Sequence, residues 1–125
     1  MRCVWLLSFG LLACADGDEE GGPTPRGIDC DERSPPLAWE NYGQGALDEH
    51  CAGCHSSLLR PDQRNNAPVG VDFDTFDGAL EWADRALVRT VDEGTMPPGG
   101  SLSGADLTLI EEWLVCDLGA RGKSS

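Results

Sequence analysis

Cys51-Ala52-Gly53-Cys54-His55 is the stretch that decides how this chain folds. Its C-x-x-C-H spacing is typical of covalent haem attachment, in which each thiol adds to one haem vinyl group and the adjacent imidazole can bind the iron. A C-x-x-C pair also occurs in thioredoxin-like dithiol centres and in zinc sites. The five residues therefore predict a redox or metal centre and leave three chemistries open.

The rest of the chain favours haem over the other two chemistries. A zinc site needs two further ligands at suitable spacing, whereas the chain has no second C-x-x-C pair and its only histidines are His50 and His55. A thioredoxin-like dithiol is expected within a β-α-β pattern, and no such strand pattern surrounds the motif. A lipoprotein with a non-haem Cys/His metal site stays as an alternative.

Composition indicates a single small acidic domain. The chain has 125 residues, with 9 Lys+Arg against 22 Asp+Glu, and its formal net charge is −13. This acidity disfavours nucleic acid and anionic membrane surfaces as partners; it suits a basic protein partner, and it also suits a secreted protein that needs only solubility. A core of about 90 residues is marginal alone, and a covalent cofactor is one of the usual supplements.

The N-terminus has the features of a bacterial export signal. Arg2 supplies a minimal positive charge, and the apolar run over residues 3–12 is too short to span a bilayer. Residues 11–14 read Leu-Leu-Ala-Cys, which resembles a lipobox, so cleavage before Cys14 and lipidation of that cysteine are expected. An ordinary secretory signal with a chance cysteine is the alternative.

Four segments follow from these patterns. Residues 1–13 are expected to form the signal peptide, 14–28 an acidic Gly/Pro-rich tether, 29–121 the folded domain and 122–125 a disordered tail. The lipid and the tether together predict a domain held to a membrane in the bacterial cell envelope, on the periplasmic side.

The spacing of apolar residues predicts a mainly helical domain. A first helix is expected over residues 37–49, leading into the Cys51–His55 motif. A second helical region, of one helix or two, is expected from a cap at Asp74 or Thr75 to about residue 93, with Gly94 as its stop.

The last helix is predicted to begin at Ser103, which with Asp106 resembles a capping box. Its buried stripe is expected to consist of Leu107, Ile110, Trp113 and Leu114. Residues 56–71 carry several Pro, Asn and Gly and predict a loop. Val71 and Phe73 alternate with acidic residues and indicate a brief extended stretch.

A haem iron bound by His55 has a second axial position, which His, Met, Cys or Tyr can fill or which can stay open. Once the signal is removed, Met96 is the only methionine, and it lies in a Thr-Met-Pro-Pro loop that two prolines stiffen. His50 is too close to Cys51 in sequence to reach the opposite haem face. Met96 is therefore the expected second ligand; a five-coordinate haem that binds a small gas or peroxide is the alternative.

Residues 37–120 resemble small monohaem class I cytochromes c, and look closest to the bacterial branch whose ligand loop reads Met-Pro-Pro. The resemblance implies a small cytochrome c fold, with three to five helices around one covalently bound haem c. In that family a glycine eight residues before the first haem cysteine lets the first and last helices cross, and a large apolar residue lies four before it. Here these positions are Gly43 and Leu47, with Trp113 as the aromatic partner on the last helix.

The family also implies contacts around the cofactor. A proline carbonyl usually accepts a hydrogen bond from Nδ1 of the ligand histidine. Pro61 and Pro68 are the candidates, and Pro68 is more similar to the family segment. Arg60 and Arg64 lie in the same loop and could pair with a haem propionate, the alternative being that they are solvated. Trp82 is expected in the core or on the haem edge.

The cysteine count predicts one disulfide. Of the six cysteines, Cys3 would be removed with the signal peptide and Cys14 would carry the lipid. Cys51 and Cys54 would bind the haem, which leaves Cys30 and Cys116. An even remainder in an exported protein suggests that the two are paired.

The function that the resemblance implies is electron transfer without catalysis. His/Met ligation fills both axial positions and raises the reduction potential, so no open site is left for a substrate. Single electrons would pass through an exposed haem edge while the protein docks weakly and transiently with a redox protein. The acidic charge would favour a partner with a basic docking surface.

Overall fold

A computed structural model of the chain describes residues 24–100 and 102–122, which are mainly helical and contain no strand. The mainly helical class is therefore confirmed, and the extended stretch at Val71 and Phe73 does not pair as a strand. In this part of the chain no helix is both long and apolar enough to cross a membrane. The signal peptide and the lipidation site at Cys14 lie outside the described residues.

The first helix leads into the Cys51–His55 motif, as predicted. A π-helical turn over Trp39–Gly43 continues directly into α1, Gln44–His50. The Asn41 side chain accepts a hydrogen bond from the Ala38 backbone N–H at 2.7 Å, which satisfies one of the free donors at the helix start.

The second helical region consists of two short helices and a π-helical turn: α2 over Phe76–Glu81, α3 over Ala83–Leu87, and Val88–Asp92. Thr75 caps α2, because its hydroxyl accepts a hydrogen bond from the Gly78 N–H at 3.1 Å. The helical conformation is interrupted at Trp82, between α2 and α3. Gly94 follows the region with a positive φ of 62°, a conformation that glycine adopts without a steric penalty.

The last helix, α4, spans Gly104–Cys116. Its capping box is confirmed: the Ser103 hydroxyl accepts from the Asp106 N–H at 3.1 Å, and the Asp106 carboxylate accepts from the Ser103 N–H at 3.2 Å. Of the predicted stripe, Ile110, Trp113 and Leu114 are buried, whereas Leu107, in the first turn of the helix, is only half-buried.

Gly43 and Trp113 lie in direct contact where the first helix meets α4. A Cβ built on Gly43 would overlap atoms of the Trp113 ring, so only glycine fits this position. Trp113 is 0% exposed and Leu47 is 1% exposed, and both belong to one apolar core cluster. The helix contact implied by the family resemblance is therefore present, and it is held mainly by apolar packing.

Cys30 and Cys116 lie at bonding distance, with their Sγ atoms 2.00 Å apart and their Cα atoms 5.5 Å apart. The two cysteines that the count leaves over therefore lie at disulfide distance. A bond between them joins the entry of the domain to the end of α4.

The folded region extends further towards the N-terminus than the boundary at residue 29 predicts. Arg26, placed by composition in the tether, donates to Asp92 at 2.8 Å and to Glu111 at 2.8 Å. Composition did not predict this contact, because the segment has few apolar side chains. It is held instead by one arginine that binds the carboxylates of two helical segments. At the other end Gly122, assigned to the tail, donates to the Asp84 carboxylate at 3.3 Å.

Candidate functional site

The Cys51–His55 motif forms a compact turn at the end of α1. The Cys51 N–H donates to the Leu47 carbonyl at 2.8 Å, and the N–H groups of Cys54 and His55 donate to the Cys51 carbonyl at 3.1 and 2.9 Å. Both thiols are free and half-buried. Helix α1 therefore delivers two thiols and an imidazole to one place.

Beside the motif lies a cleft of about 440 Å³. Such a volume falls within the roughly 300–1,000 Å³ of typical small-molecule and cofactor sites. The predicted site residues on its wall are Cys51, Cys54, His55, Pro68 and Met96. Much of the remaining wall is apolar and comes from Val71, Phe73, Trp82, Ala86, Pro97 and Pro98.

Met96 reaches the cleft on a loop that is tied to the end of the second helical region. The N–H groups of Thr95 and Met96 both donate to the Arg89 carbonyl, at 2.8 and 3.0 Å. These bonds fix the loop immediately before the two prolines. The two predicted axial ligands are thus brought to one cleft although 41 positions separate them in the sequence (96 − 55).

His55 is oriented by the backbone of residue 71. Its Nδ1 lies 3.0 Å from the Val71 carbonyl oxygen, and because a carbonyl only accepts, Nδ1 carries the proton. In the neutral imidazole, Nε2 is then the nitrogen with the free lone pair and is able to bind a metal. The Phe73 ring packs edge-on against the imidazole, with centroids 5.5 Å apart.

The expected proline acceptor was wrong. The Pro68 carbonyl accepts instead from Arg64, at 2.8 Å, and Pro61 begins a short 3₁₀ turn, Pro61–Gln63. The prolines in the sequence predicted a loop here, but they did not indicate which backbone carbonyl would face the imidazole.

The two arginines of the loop do not line the cleft. Arg60 is exposed and pairs with Asp62 at 3.3 Å, which agrees with the solvated alternative. Arg64 is 1% exposed and donates to backbone carbonyls, so it is not solvated. A loop with little regular structure leaves backbone carbonyls without backbone donors. The buried guanidinium of Arg64 supplies hydrogen-bond donors to such carbonyls.

Two cationic residues of the cleft were missed at the level of sequence. Arg85 and Arg89 both line it, four positions apart on one side of the second helical region. Arg89 pairs with Glu93 at 3.1 Å, whereas Arg85 makes no ion pair within residues 24–100 and 102–122. The only indication in the sequence was the i,i+4 spacing of the two arginines, which puts them on one face of a helix. Together they bring positive charge to a cleft in an acidic chain.

Burial raises the pKa of the Cys51 thiol to about 11. At neutral pH this thiol is therefore protonated in the structure described. A dithiol oxidoreductase needs a thiolate at neutral pH, which a depressed thiol pKa provides. The raised pKa argues against the thioredoxin-like chemistry.

The described residues hold no group of three or more His, Cys, Asp or Glu side chains arranged to bind a metal ion. A structural zinc site would need such a group, so the zinc alternative gains no support from them. Two free thiols, an imidazole with a free Nε2 and a thioether around an apolar cleft do fit a covalently bound haem.

Comparisons of the chain with protein-family models, with curated proteins and with solved structures found no match.

Proposed function

We propose that this protein carries one haem c in the cleft and passes single electrons. Thioether bonds to Cys51 and Cys54 would hold the haem, and His55 and Met96 would be its axial ligands. The observation that carries the proposal is that Met96, which lies 41 positions after His55, lines the same largely apolar cleft as the three side chains of the motif.

When bound, the haem supplies one-electron exchange, and His/Met ligation gives it a raised reduction potential. The chain's own residues orient the ligands and exclude water. The Val71 carbonyl holds the His55 ring by its Nδ1–H, at 3.0 Å. Phe73 and Trp82 supply apolar surface, and the Trp82 indole N–H is satisfied by the Gly70 carbonyl at 3.0 Å.

Arg85 and Arg89 are the cleft residues suited to pairing with haem propionates, in place of Arg60 and Arg64. Both residues line the cleft, and a guanidinium binds a carboxylate through two parallel hydrogen bonds. Filled axial positions leave no site for a substrate, so the proposed role is electron transfer and not catalysis.

The proposed partner is a redox protein with a basic docking surface, because the chain carries a net charge of −13. The proposed location is the periplasmic side of a bacterial membrane, with the lipid on Cys14 as the anchor. Exchange with a basic partner should then slow as ionic strength rises, since salt screens charges over about 10 Å at 0.1 M.

Haem staining of the denatured protein tests the proposal. The full chain made in a host that attaches haem c should stain, and Cys51→Ala/Cys54→Ala should not. The matched control is Cys30→Ala/Cys116→Ala, which removes two cysteines outside the cleft and should still stain. An unstained full chain would contradict the proposal and favour a non-haem Cys/His site.

Absorption spectra test the second ligand. The oxidised protein should show a methionine–iron charge-transfer band that is lost in Met96→Ala. Ready binding of carbon monoxide by the reduced native protein would instead indicate a five-coordinate haem that binds a small gas or peroxide.

A further inference from the structure

Arg64 is the one charged side chain among the described residues that is buried at the level of the core. It is 1% exposed and lies outside the lining of the cleft. Its guanidinium donates to four backbone carbonyls, those of Ser56, Ala67, Pro68 and Val71, at 2.6, 3.3, 2.8 and 3.0 Å. One side chain thus gathers the loop that runs from the Cys51–His55 motif to the edge of the cleft.

The charge of Arg64 is balanced by Asp72, whose Oδ1 lies 2.7 Å from an Arg64 terminal nitrogen. That nitrogen donates to the Pro68 and Val71 carbonyls, and its contact with Asp72 is an ion pair without a hydrogen bond. Asp72 Oδ1 accordingly has no hydrogen-bond partner within the described residues. The interaction between Arg64 and Asp72 is therefore electrostatic, while all the hydrogen bonds of the guanidinium go to backbone carbonyls.

The Val71 carbonyl is shared between Arg64 and His55. It accepts from the Arg64 guanidinium at 3.0 Å and from Nδ1 of His55 at 3.0 Å, using both of its lone pairs. We propose that Arg64 is a positioning residue that sets the orientation and the ligand strength of His55 through the Val71 carbonyl. This inference rests on the proposed haem function.

The effect on the iron follows from hydrogen-bond strength. A carbonyl that also accepts from a cation is a weaker acceptor for the imidazole, because the cation withdraws electron density from the shared oxygen. His55 then keeps its Nδ1 proton more fully and becomes a weaker donor to the iron, since partners of this kind tune ligand basicity. A weaker donor stabilises Fe(III) less, so Arg64 raises the reduction potential.

The first test compares Arg64→Met with Arg60→Met in the full haem-loaded chain. Arg60 is a matched control, because it is an exposed loop arginine four positions earlier whose side chain pairs with Asp62 and which does not line the cleft. Arg64→Met should shift the ratio of reduced to oxidised protein at a fixed potential about tenfold towards oxidised, which is about 59 mV for one electron. Arg60→Met should not. Equal potentials in the two variants would overturn the inference.

The second test is Asp72→Asn, which keeps the Arg64 contacts and removes the balancing charge. Arg64 then draws more strongly on the shared carbonyl, so the ratio should shift the opposite way, towards reduced. Simple loosening of the fold would expose the haem to water and favour oxidised protein in both variants. A fall in potential, or no change, in Asp72→Asn would overturn the inference, and this variant decides it if Arg64→Met does not accumulate.

Proton NMR of the reduced protein supplies a readout besides potential. The Nδ1–H resonance of His55 should move downfield in Arg64→Met and not in Arg60→Met, because the Val71 carbonyl, no longer shared with a cation, accepts more strongly from the imidazole. An unchanged resonance in Arg64→Met would contradict the role given to Arg64. Absence of covalent haem in the unaltered chain would instead remove the proposed function, which is a separate and recognisable result.

Discussion

The first helix, over residues 39–50, has two regions around it that are held together in different ways. Around Gly43 and Leu47 it packs on α4 through apolar surface, with Trp113 fully buried. Beyond His50 the chain has little regular structure until α2, and carbonyls gathered by Arg64 hold it instead. The helix crossing depends on shape, whereas the motif loop depends on a charge and on hydrogen bonds, so the two should fail under different perturbations.

The largest loss of stability is expected from Trp113→Ala, which empties the centre of the helix crossing. Truncation of a buried aromatic typically costs about 3–5 kcal/mol of unfolding free energy. Urea unfolding of the haem-loaded protein measures it, with Leu58→Ala as the control, because Leu58 is 87% exposed and should change stability by less than about 0.5 kcal/mol. A similar loss in both variants would show that the crossing is not the main apolar support.

A finer test of the crossing uses two glycines that lie two positions apart in the first helix. Gly43→Ala places a Cβ into the Trp113 ring and should cost about 1–3 kcal/mol through overpacking. Gly45→Ala meets no atom within 4 Å and should leave stability unchanged or raise it by up to about 1 kcal/mol. The sign of the difference between the two unfolding free energies decides whether shape governs this region.

The smallest expected effect concerns the motif loop and depends on pH. The Ser57 hydroxyl and N–H donate to Asp74 at 2.7 and 2.9 Å and hold the pKa of that carboxyl below its ordinary value. A lowered pKa stabilises the fold above pH 4 or so and loses that contribution as the pH falls through the folded-state pKa. Ser57→Ala should therefore be slightly less stable than the unaltered protein at pH 7, and the gap should close in strong acid.

Urea titrations of Ser57→Ala at pH 7 and at about pH 2.5 measure that gap, with Ser57→Thr as the variant that keeps the hydroxyl. The Gly43/Gly45 difference should not follow the same pH course, because the atoms that a Gly43 Cβ would meet belong to the Trp113 ring and not to the Ser57–Asp74 pair. A stability gap for Ser57→Ala that persists unchanged into acid would contradict the role given to Asp74.

The sequence was informative where structure depends on local spacing. The period of apolar residues, the Ser103/Asp106 capping box and the glycine stop at Gly94 each predicted an element or a boundary that is present. The pairing of Cys30 with Cys116 followed from counting. The gathering of the thiols, His55 and Met96 at one cleft was expected from the C-x-x-C-H spacing and from Met96 being the only methionine outside the predicted signal peptide.

What could not be predicted depends on which backbone atoms a loop turns inward. Nothing in the spacing of prolines indicates that Val71, and not Pro68, accepts from His55. The burial of Arg64 was equally hidden, because an arginine in a polar loop has the same composition whether it faces water or carbonyls. Arg85 and Arg89 had a helical spacing, but a cleft has to exist before that spacing acquires a meaning.

The Cys30–Cys116 disulfide closes residues 30–116, the greater part of the domain, into a covalent ring. Every residue that lines the cleft lies between these two cysteines in sequence. A protease that cuts the chain once inside the ring would therefore leave both pieces joined, and neither the thiols nor Met96 could diffuse away from the other. For a protein proposed to work outside the cytoplasm, one nick would open a loop without releasing any part of the site.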